Sequence, residues 1–417
     1  MRKVDCVIVG GGSAGMSCAI AIARFGIRDI LIIEKEKELG GILNQCIHHG
    51  FGLHIYKKEC TGPEYAQLLI ESLKKYHIDI KLDTTVINIS EGKKVMYVNR
   101  YEGVVEVQAK AIVMASGCME KNRGMISIPG DRCGNVLTAG TAQRYLNIDG
   151  YMCGKRVFIL GSGDIGLIMA RRMVLEGAQV LGVAEIMPYS NGLSRNIVQC
   201  LEDFNIPLYL KTTVTRIIGR PKLERIELSS VDDNQKPIQG SEWYLDVDCL
   251  LLSIGLLPDI SLLNKLNVER DSQTKSVSVN EAYEMSLPGF FACGNVLQVH
   301  DLVDDVCLEA QACGMAVARY LNEGFHEEEG IPVYAGENVT HVVPQHLRKE
   351  NMEDDCRFSF RVKKPMRDCI LRIRSGDHIL REVKKRVMLP AEMEKINLEK
   401  RMLTDAQSLI FEVKEDA

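Results

Sequence analysis

The sequence predicts an α/β fold: two strand–turn–helix–strand units with parallel sheets, the second inserted into the first, then a small β-rich C-terminal region. Three observations predict it. Gly10-x-Gly12-x-x-Gly15 follows the apolar run Cys6–Val9, and Gly161-x-Gly163-x-x-Gly166 follows Val157–Leu160. An Ala-, Ile- or Met-bearing helical stretch comes next in each case, Met16–Phe25 and Leu167–Glu176. A second apolar strand then ends in an acid, Glu34 or Glu185, at the same offset of 24 residues (34 − 10 and 185 − 161).

Each element has a physical reason. The first Gly permits a tight turn, the second lets backbone approach a pyrophosphate, and the third lets the helix pack on the strand. Unpaired N–H groups and the helix dipole at the helix start favour the phosphate charge. The acid at the end of the second strand accepts hydrogen bonds from a ribose. The two units are therefore Rossmann-like and imply two dinucleotides.

The first unit is not finished where the second begins. Ala109–Ala115 reads as a buried strand closed by Ser116-Gly117, and Val247–Ile254 runs apolar into Gly255. After Pro288-Gly289, Phe290–Asn295 reads as a short strand opening on a turn, followed by a helix over about 302–321. The expected domains are 1–150 with 280–325, then 151–279 inserted, and 331–417 at the C-terminus. In the last, Phe358, Phe360 and Val362 alternate with Arg357, Ser359 and Arg361, the period of a half-buried strand. A hairpin is expected for Ile370–Arg374 and Ile379–Val383 across Ser375-Gly376-Asp377.

Composition narrows the class. The 417 residues are 46% hydrophobic and 26% charged with a net charge of −5, which supplies no reason to invoke nucleic acid or an anionic membrane. No apolar run approaches membrane-spanning length. The first strand begins after Met1-Arg2-Lys3, so no cleavable leader is expected. Fourteen cysteines without a disulfide-framework pattern suit a reducing cytoplasm.

These motifs, in this order over roughly residues 1–325, resemble the two-dinucleotide-binding-domain flavoproteins, the superfamily of glutathione reductase and thioredoxin reductase. The resemblance implies FAD on the first unit, at Gly10, Gly12, Ser13, Ala14, Gly15, Glu34, Lys35, Gly41, Ala115, Gly117, Gly294 and Asn295. It implies NAD(H) on the second, at Gly161, Gly163, Asp164, Ile165, Gly166, Glu185 and Gly255. Asn295 stands where the family usually has an acid that binds the ribityl chain; it can still hydrogen-bond a hydroxyl but adds no charge. The helix near Leu302 would point its N-terminus at the flavin. More narrowly, Gly40–Ile47, Gly161–Arg172, Glu185–Ser190 and Val299–Val303 resemble the FAD/NAD subunits associated with anaerobic-type glycerol-3-phosphate dehydrogenases and dye-linked proline or opine dehydrogenases.

Glu185 would repel a ribose 2′-phosphate, and Ile186–Ser190 bring no Arg to meet one, although Arg195 lies further along. NAD(H) is thus expected over NADP(H). Superfamily disulfide reductases keep two cysteines with four residues between them, but Cys46 is followed at that spacing by Phe51. Cys200 has Asp203 where a Cys-x-x-Cys motif needs its second thiol. A dithiol route is disfavoured, and Cys46 reads more readily as a small apolar core residue than as a redox centre.

His49, beside His48, and His300 are candidate proton donors. Asp301 reads as the cap of the helix after it, and Thr61 as the cap of a helix carrying Pro63 in its first turn. No metal site is expected. The stretch 357–386 carries eleven Lys or Arg against three acids, read as the solvated face of strands or a docking face for an acidic partner. The expected function is an FAD-dependent NAD(H) oxidoreductase, an electron-transfer subunit working with a glycerol-3-phosphate dehydrogenase-type flavoprotein; its partner is that subunit or a small redox substrate, and an oligomer or hetero-complex is expected. The alternatives are a stand-alone reductase or oxidase, a subunit of an amino-acid dehydrogenase, and a mainly structural nucleotide-binding subunit.

Overall fold

The computed structural model describes residues 1–416 and forms two compact units. One comprises Met1–Cys118 and Pro258–Ala417, and the other comprises Met119–Leu257. The unit Met119–Leu257 lies between the two segments of the other, where the sequence expectation had 151–279. Val136–Thr138 runs parallel to Cys249–Leu252, so the segment before the second loop already belongs to the second sheet. Residues 331–416 lie in the first of these units and carry a core of their own.

The first unit is built on a seven-stranded sheet. Asp79–Lys81, Ile30–Ile33, Arg2–Val9 and Gly103–Met114 lie side by side in parallel, and Phe290–Ala292 returns to pair with Ile112–Met114. Both faces of the central strands are covered, so Val7, Ile8, Leu31, Ile32, Ile112 and Val113 are fully buried and read as unbroken apolar runs. An antiparallel extension through Lys94–Asn99 and Thr85–Ile89, with no glycine signature, was not expected.

Helix α1 (Ser13–Arg24) crosses over this sheet, and helix α3 (Val303–Glu323) packs along α1. Helix α2 (Asp164–Leu175) plays the part of α1 in the second unit. Its parallel sheet runs in the order Val136–Thr138, Cys249–Leu252, Arg156–Leu160, Gln179–Ala184 and Leu208–Tyr209. In the C-terminal region Phe358, Phe360 and Phe411 fill the core, and the expected hairpin is Met366–Ser375 with His378–Met388. Several of the basic side chains there are paired, Arg372 with Glu382, Lys384 with Asp416 and Lys385 with Glu394. No helix among the described residues is long and apolar enough to cross a membrane.

The close approach of α1 and α3 depends on small side chains. A Cβ on Gly314 would lie 2.5 Å from Cys18 O and 2.7 Å from Ala21 Cβ. Gly314→Val should therefore force the helices apart and lower stability by about 1–3 kcal/mol. A reduced urea midpoint checks this, and an unchanged midpoint would show that the contact tolerates bulk.

Candidate functional site

In the first unit, backbone runs against backbone at the loop. Gly10 has φ 109°, in the left-handed region, and a Cβ there would overlap Ala115 O. A Cβ on Gly15 would overlap Gly10 O. These two glycines are required by contact, not only by flexibility. Gly12 is the N-cap of α1, and no side chain caps it. Gly41 packs on Gly12, and Gly40 N donates to Gly11 O at 3.0 Å, so residues 40–41 form a wall of the loop.

Glu34 explains why an acid ends the second strand. It is buried and its Oε2 accepts from Gly11 N at 2.6 Å, while Oε1 accepts from Glu36 N at 2.8 Å. The carboxylate thus fixes the turn and retains lone pairs for ribose hydroxyls. Lys35, the next residue, is exposed. Gly117 closes the crossing strand at φ 75°, and Gly294 lies against the start of α1, where its Cβ would be 2.6 Å from Ala14 Cβ. Gly10–Gly15, Ala115–Gly117 and Gly294–Asn295 therefore meet at the carboxyl ends of parallel strands, where α/β sheets bind ligands.

The second unit repeats the device. Gly161 has φ 98°, and its Cβ would overlap Ser253 O. Gly163 caps α2 without a side-chain hydrogen bond. Glu185 is buried; Oε2 accepts from Ser162 N at 3.1 Å and from Ser162 Oγ at 2.6 Å, and Oε1 from Met187 N at 3.0 Å. Asp164 turns its carboxylate aside, accepting from Leu193 N at 2.8 Å and Asn196 Nδ2 at 2.7 Å. Ile165 is half-buried in the first turn, and Gly255 ends the crossing segment at φ 103°. Arg195 is exposed on the following helix.

These loops fit two dinucleotides on a structural criterion. Two other helix starts are closed by their own side chains: Thr61 and Glu64 form a capping box on Gly62–Leu73, and Thr138 caps Ala139–Asn147. At Gly12 and Gly163 nothing plays that part, and orphan N–H groups there suit a phosphate.

Helix α3 also begins without a side-chain cap, at Leu302. Asp301 is not its cap, contrary to the sequence expectation. Its Oδ1 accepts from Arg361 Nη2 at 2.5 Å and its Oδ2 from Met393 N at 2.7 Å, both in the C-terminal region. Asp304, in the first turn, accepts from Tyr65 OH and from His54 N, each at 2.9 Å. Neighbouring His300 is buried beside Glu309, with 3.1 Å between Nε2 and Oε2. Burial opposes its charge, but the Glu309 carboxylate outweighs it and raises the pKa.

The other candidates are less engaged. His49 is exposed on a short strand opposite Thr61. Cys46 is partly buried against Gly62, whose N–H donates to Cys46 O at 2.8 Å. Sequence spacing overlooked Ser162, Glu309 and a thiol cluster. The sulfurs of Cys18, Cys293 and Cys313 lie within 4.8 Å of one another, all buried in the α1–α3 core. They come from three distant segments, and their place among apolar side chains is that of small hydrophobes.

Burial pushes the Cys46 thiol up to about 12, so it is protonated at pH 8. Iodoacetamide should then label it at least ~100-fold more slowly than a free cysteine. Peptide mapping by mass spectrometry reads the rate, and labelling as fast as free cysteine would contradict this placement.

Known proteins are similar to this chain. The chain is 26% identical over 298 residues to a component of the alkyl hydroperoxide reductase of Staphylococcus aureus, covering 70% of this chain and 54% of that protein. It is 25% identical over 315 residues to an NADH oxidase of Methanocaldococcus jannaschii, covering 71% and 64%. The chain thus spans between half and two thirds of the length of these relatives. Among solved structures, thioredoxin reductase of T. acidophilum superposes with a TM-score of 0.62 at 23% identity, over 76% of this chain and 98% of that one. Residues 4–312 match the family described as pyridine nucleotide-disulphide oxidoreductase, whose members bind FAD and NAD(P)H. The chain belongs to that family.

Proposed function

We propose that this chain is an FAD-dependent NAD(H) oxidoreductase that passes hydride between nicotinamide and flavin, and that it serves as an electron-transfer subunit beside a glycerol-3-phosphate dehydrogenase-type flavoprotein. The observation that carries the reading is the repeated device: two helices without side-chain caps, each with a buried acid tied to its glycine turn. FAD is assigned to Gly10–Gly15, Glu34, Ala115–Gly117 and Gly294–Asn295, and NAD(H) to Gly161–Gly166, Glu185 and Gly255.

The flavin supplies hydride chemistry when bound; the chain supplies position, a dry floor and fixed donors. The N–H groups at the head of α1 hold pyrophosphate charge and Glu34 orients the adenosine ribose. At Glu185 the carboxylate accepts from a free 2′-hydroxyl and repels a 2′-phosphate, which supports NAD(H) over NADP(H). A dithiol relay has little support: Cys46 has Phe51 at the family spacing and a protonated thiol. Electrons would then leave or enter through a second protein, and the segments resembling glycerol-3-phosphate dehydrogenase subunits supply its chemical class. The cysteine usage supports a cytoplasmic location.

Similarity to an NADH oxidase and to an alkyl hydroperoxide reductase component favours a second reading, a reductase that turns over alone with oxygen or a peroxide. Anaerobic titration separates the readings. The proposal predicts bleaching of bound flavin by one equivalent of NADH, weaker reaction with NADPH, none with glycerol-3-phosphate, and slow turnover with oxygen or peroxide. Flavin that stays oxidised with NADH would refute the oxidoreductase reading, and rapid turnover by this chain alone would favour the second.

The loops should also separate by mutation. A Cβ at residue 166 would lie 2.7 Å from Ser253 Cβ and 2.8 Å from Gly161 O. Gly15→Ala should yield protein without flavin, whereas Gly166→Ala should keep flavin and lose its reduction by NADH. Loss of flavin from the second variant alone would reverse the assignment.

A further inference from the structure

His300 is placed so that both ring nitrogens face acceptors. Nε2 lies 3.1 Å from Glu309 Oε2, and Nδ1 lies 3.4 Å from Asn295 Oδ1. Either neutral tautomer would set one bare nitrogen against an oxygen; only the doubly protonated ring satisfies both. Glu309 is in turn saturated with donors, taking Gly294 N on Oε1 and Gln298 Nε2 on Oε2, each at 2.7 Å. Asn295 Oδ1 accepts from His300 N at 3.1 Å as well, which commits its carbonyl side inward. Its amide Nδ2 is left outward, 3.8 Å from Cys118 Sγ beside Gly117. The network therefore ends on the residues that crowd the Gly10 loop.

Other charges face the pair from each packed element. Asp305 of α3 favours protonation of His300, Lys395 of the strand Glu394–Glu399 opposes it, and the Tyr283 phenol faces Glu309. Lys395 is itself paired with Asp305, and Arg361 Nη2 donates to Val299 O at 3.0 Å. The C-terminal strands thus clamp the segment 299–305 around the imidazole.

We propose that His300 is a positioning residue for the flavin: as an imidazolium between Glu309 and Asn295, it holds the Asn295 N–H outward and keeps this sheet end free of uncompensated negative charge. The inference rests on the FAD assignment above. A hydride carries two electrons and one proton, so the acceptor gains one negative charge per transfer. With His300 charged, Glu309 adds no net charge to meet it. With His300 removed, the Glu309 carboxylate is left beside the site, and reduction becomes less favourable.

The test is the flavin midpoint potential, measured with a reference dye and dithionite so that NADH is not needed. His300→Gln should make two-electron reduction at least tenfold less favourable, a fall of about 30 mV. Glu309→Gln and the double variant, which carry no stranded carboxylate, should stay within threefold of the parent. A purely structural role would displace all three alike, and that result overturns the proposal, as does His300→Gln at the parent potential. Nitrogen-15 NMR of histidine-labelled protein should show both His300 nitrogens protonated at neutral pH, and a neutral tautomer would overturn the proposal without any flavin. Purified protein that binds no FAD would instead remove the assignment on which the inference stands.

Discussion

The structure depends on leaving helix N-termini open. A helix start exposes N–H groups that ordinarily take a side-chain cap, and here Gly62–Leu73 and Ala139–Asn147 have theirs. At α1 and α2 the cap position is Gly12 or Gly163, so no side chain takes those donors. Everything around each loop serves to hold that opening in place. Backbone approaches Gly10 at Ala115 and Gly161 at Ser253, and a buried carboxylate pins the turn from the other side. The same two carboxylates are buried and take their hydrogen bonds from the turns they close.

Another uncapped start, at α3, is treated differently. It carries Asp304 and Asp305 in its first turn, each already engaged: Asp304 by Tyr65 and His54, Asp305 by Lys395. Asp305 on Lys395 and Asp301 on Arg361 tie the C-terminal strands to the start of α3. The C-terminal region thereby helps to fix the segment that carries His300. The Cys18–Cys293–Cys313 core and Gly314 let α3 lie close to α1.

What could be read from the sequence was whatever is local along the chain. The loops, their helices, Glu34 and Glu185 occupy one short window each, and glycine spacing with a strand-ending acid encodes them directly. The Thr61 cap and the 370–383 hairpin were legible for the same reason. Features made by distant partners were not. Val136–Thr138 joins the second sheet by pairing with a strand more than a hundred residues later. Asp301 looked like a cap because Arg361, sixty residues away, leaves no trace beside it. Glu309 read as an ordinary helix acid, and only the fold brings it under His300 and Gly294. The thiol cluster was hidden likewise, since its members sit at 18, 293 and 313.

The central claim is that two loops of one design hold two different dinucleotides. A crystal structure of the protein grown with FAD and soaked anaerobically with NAD⁺ tests it most directly. The account predicts FAD density with its pyrophosphate on the head of α1 and its adenosine ribose on Glu34, and NAD⁺ on α2 with its ribose on Glu185. FAD over the Gly161 loop, or a single nucleotide with one loop closed by protein groups, would contradict it.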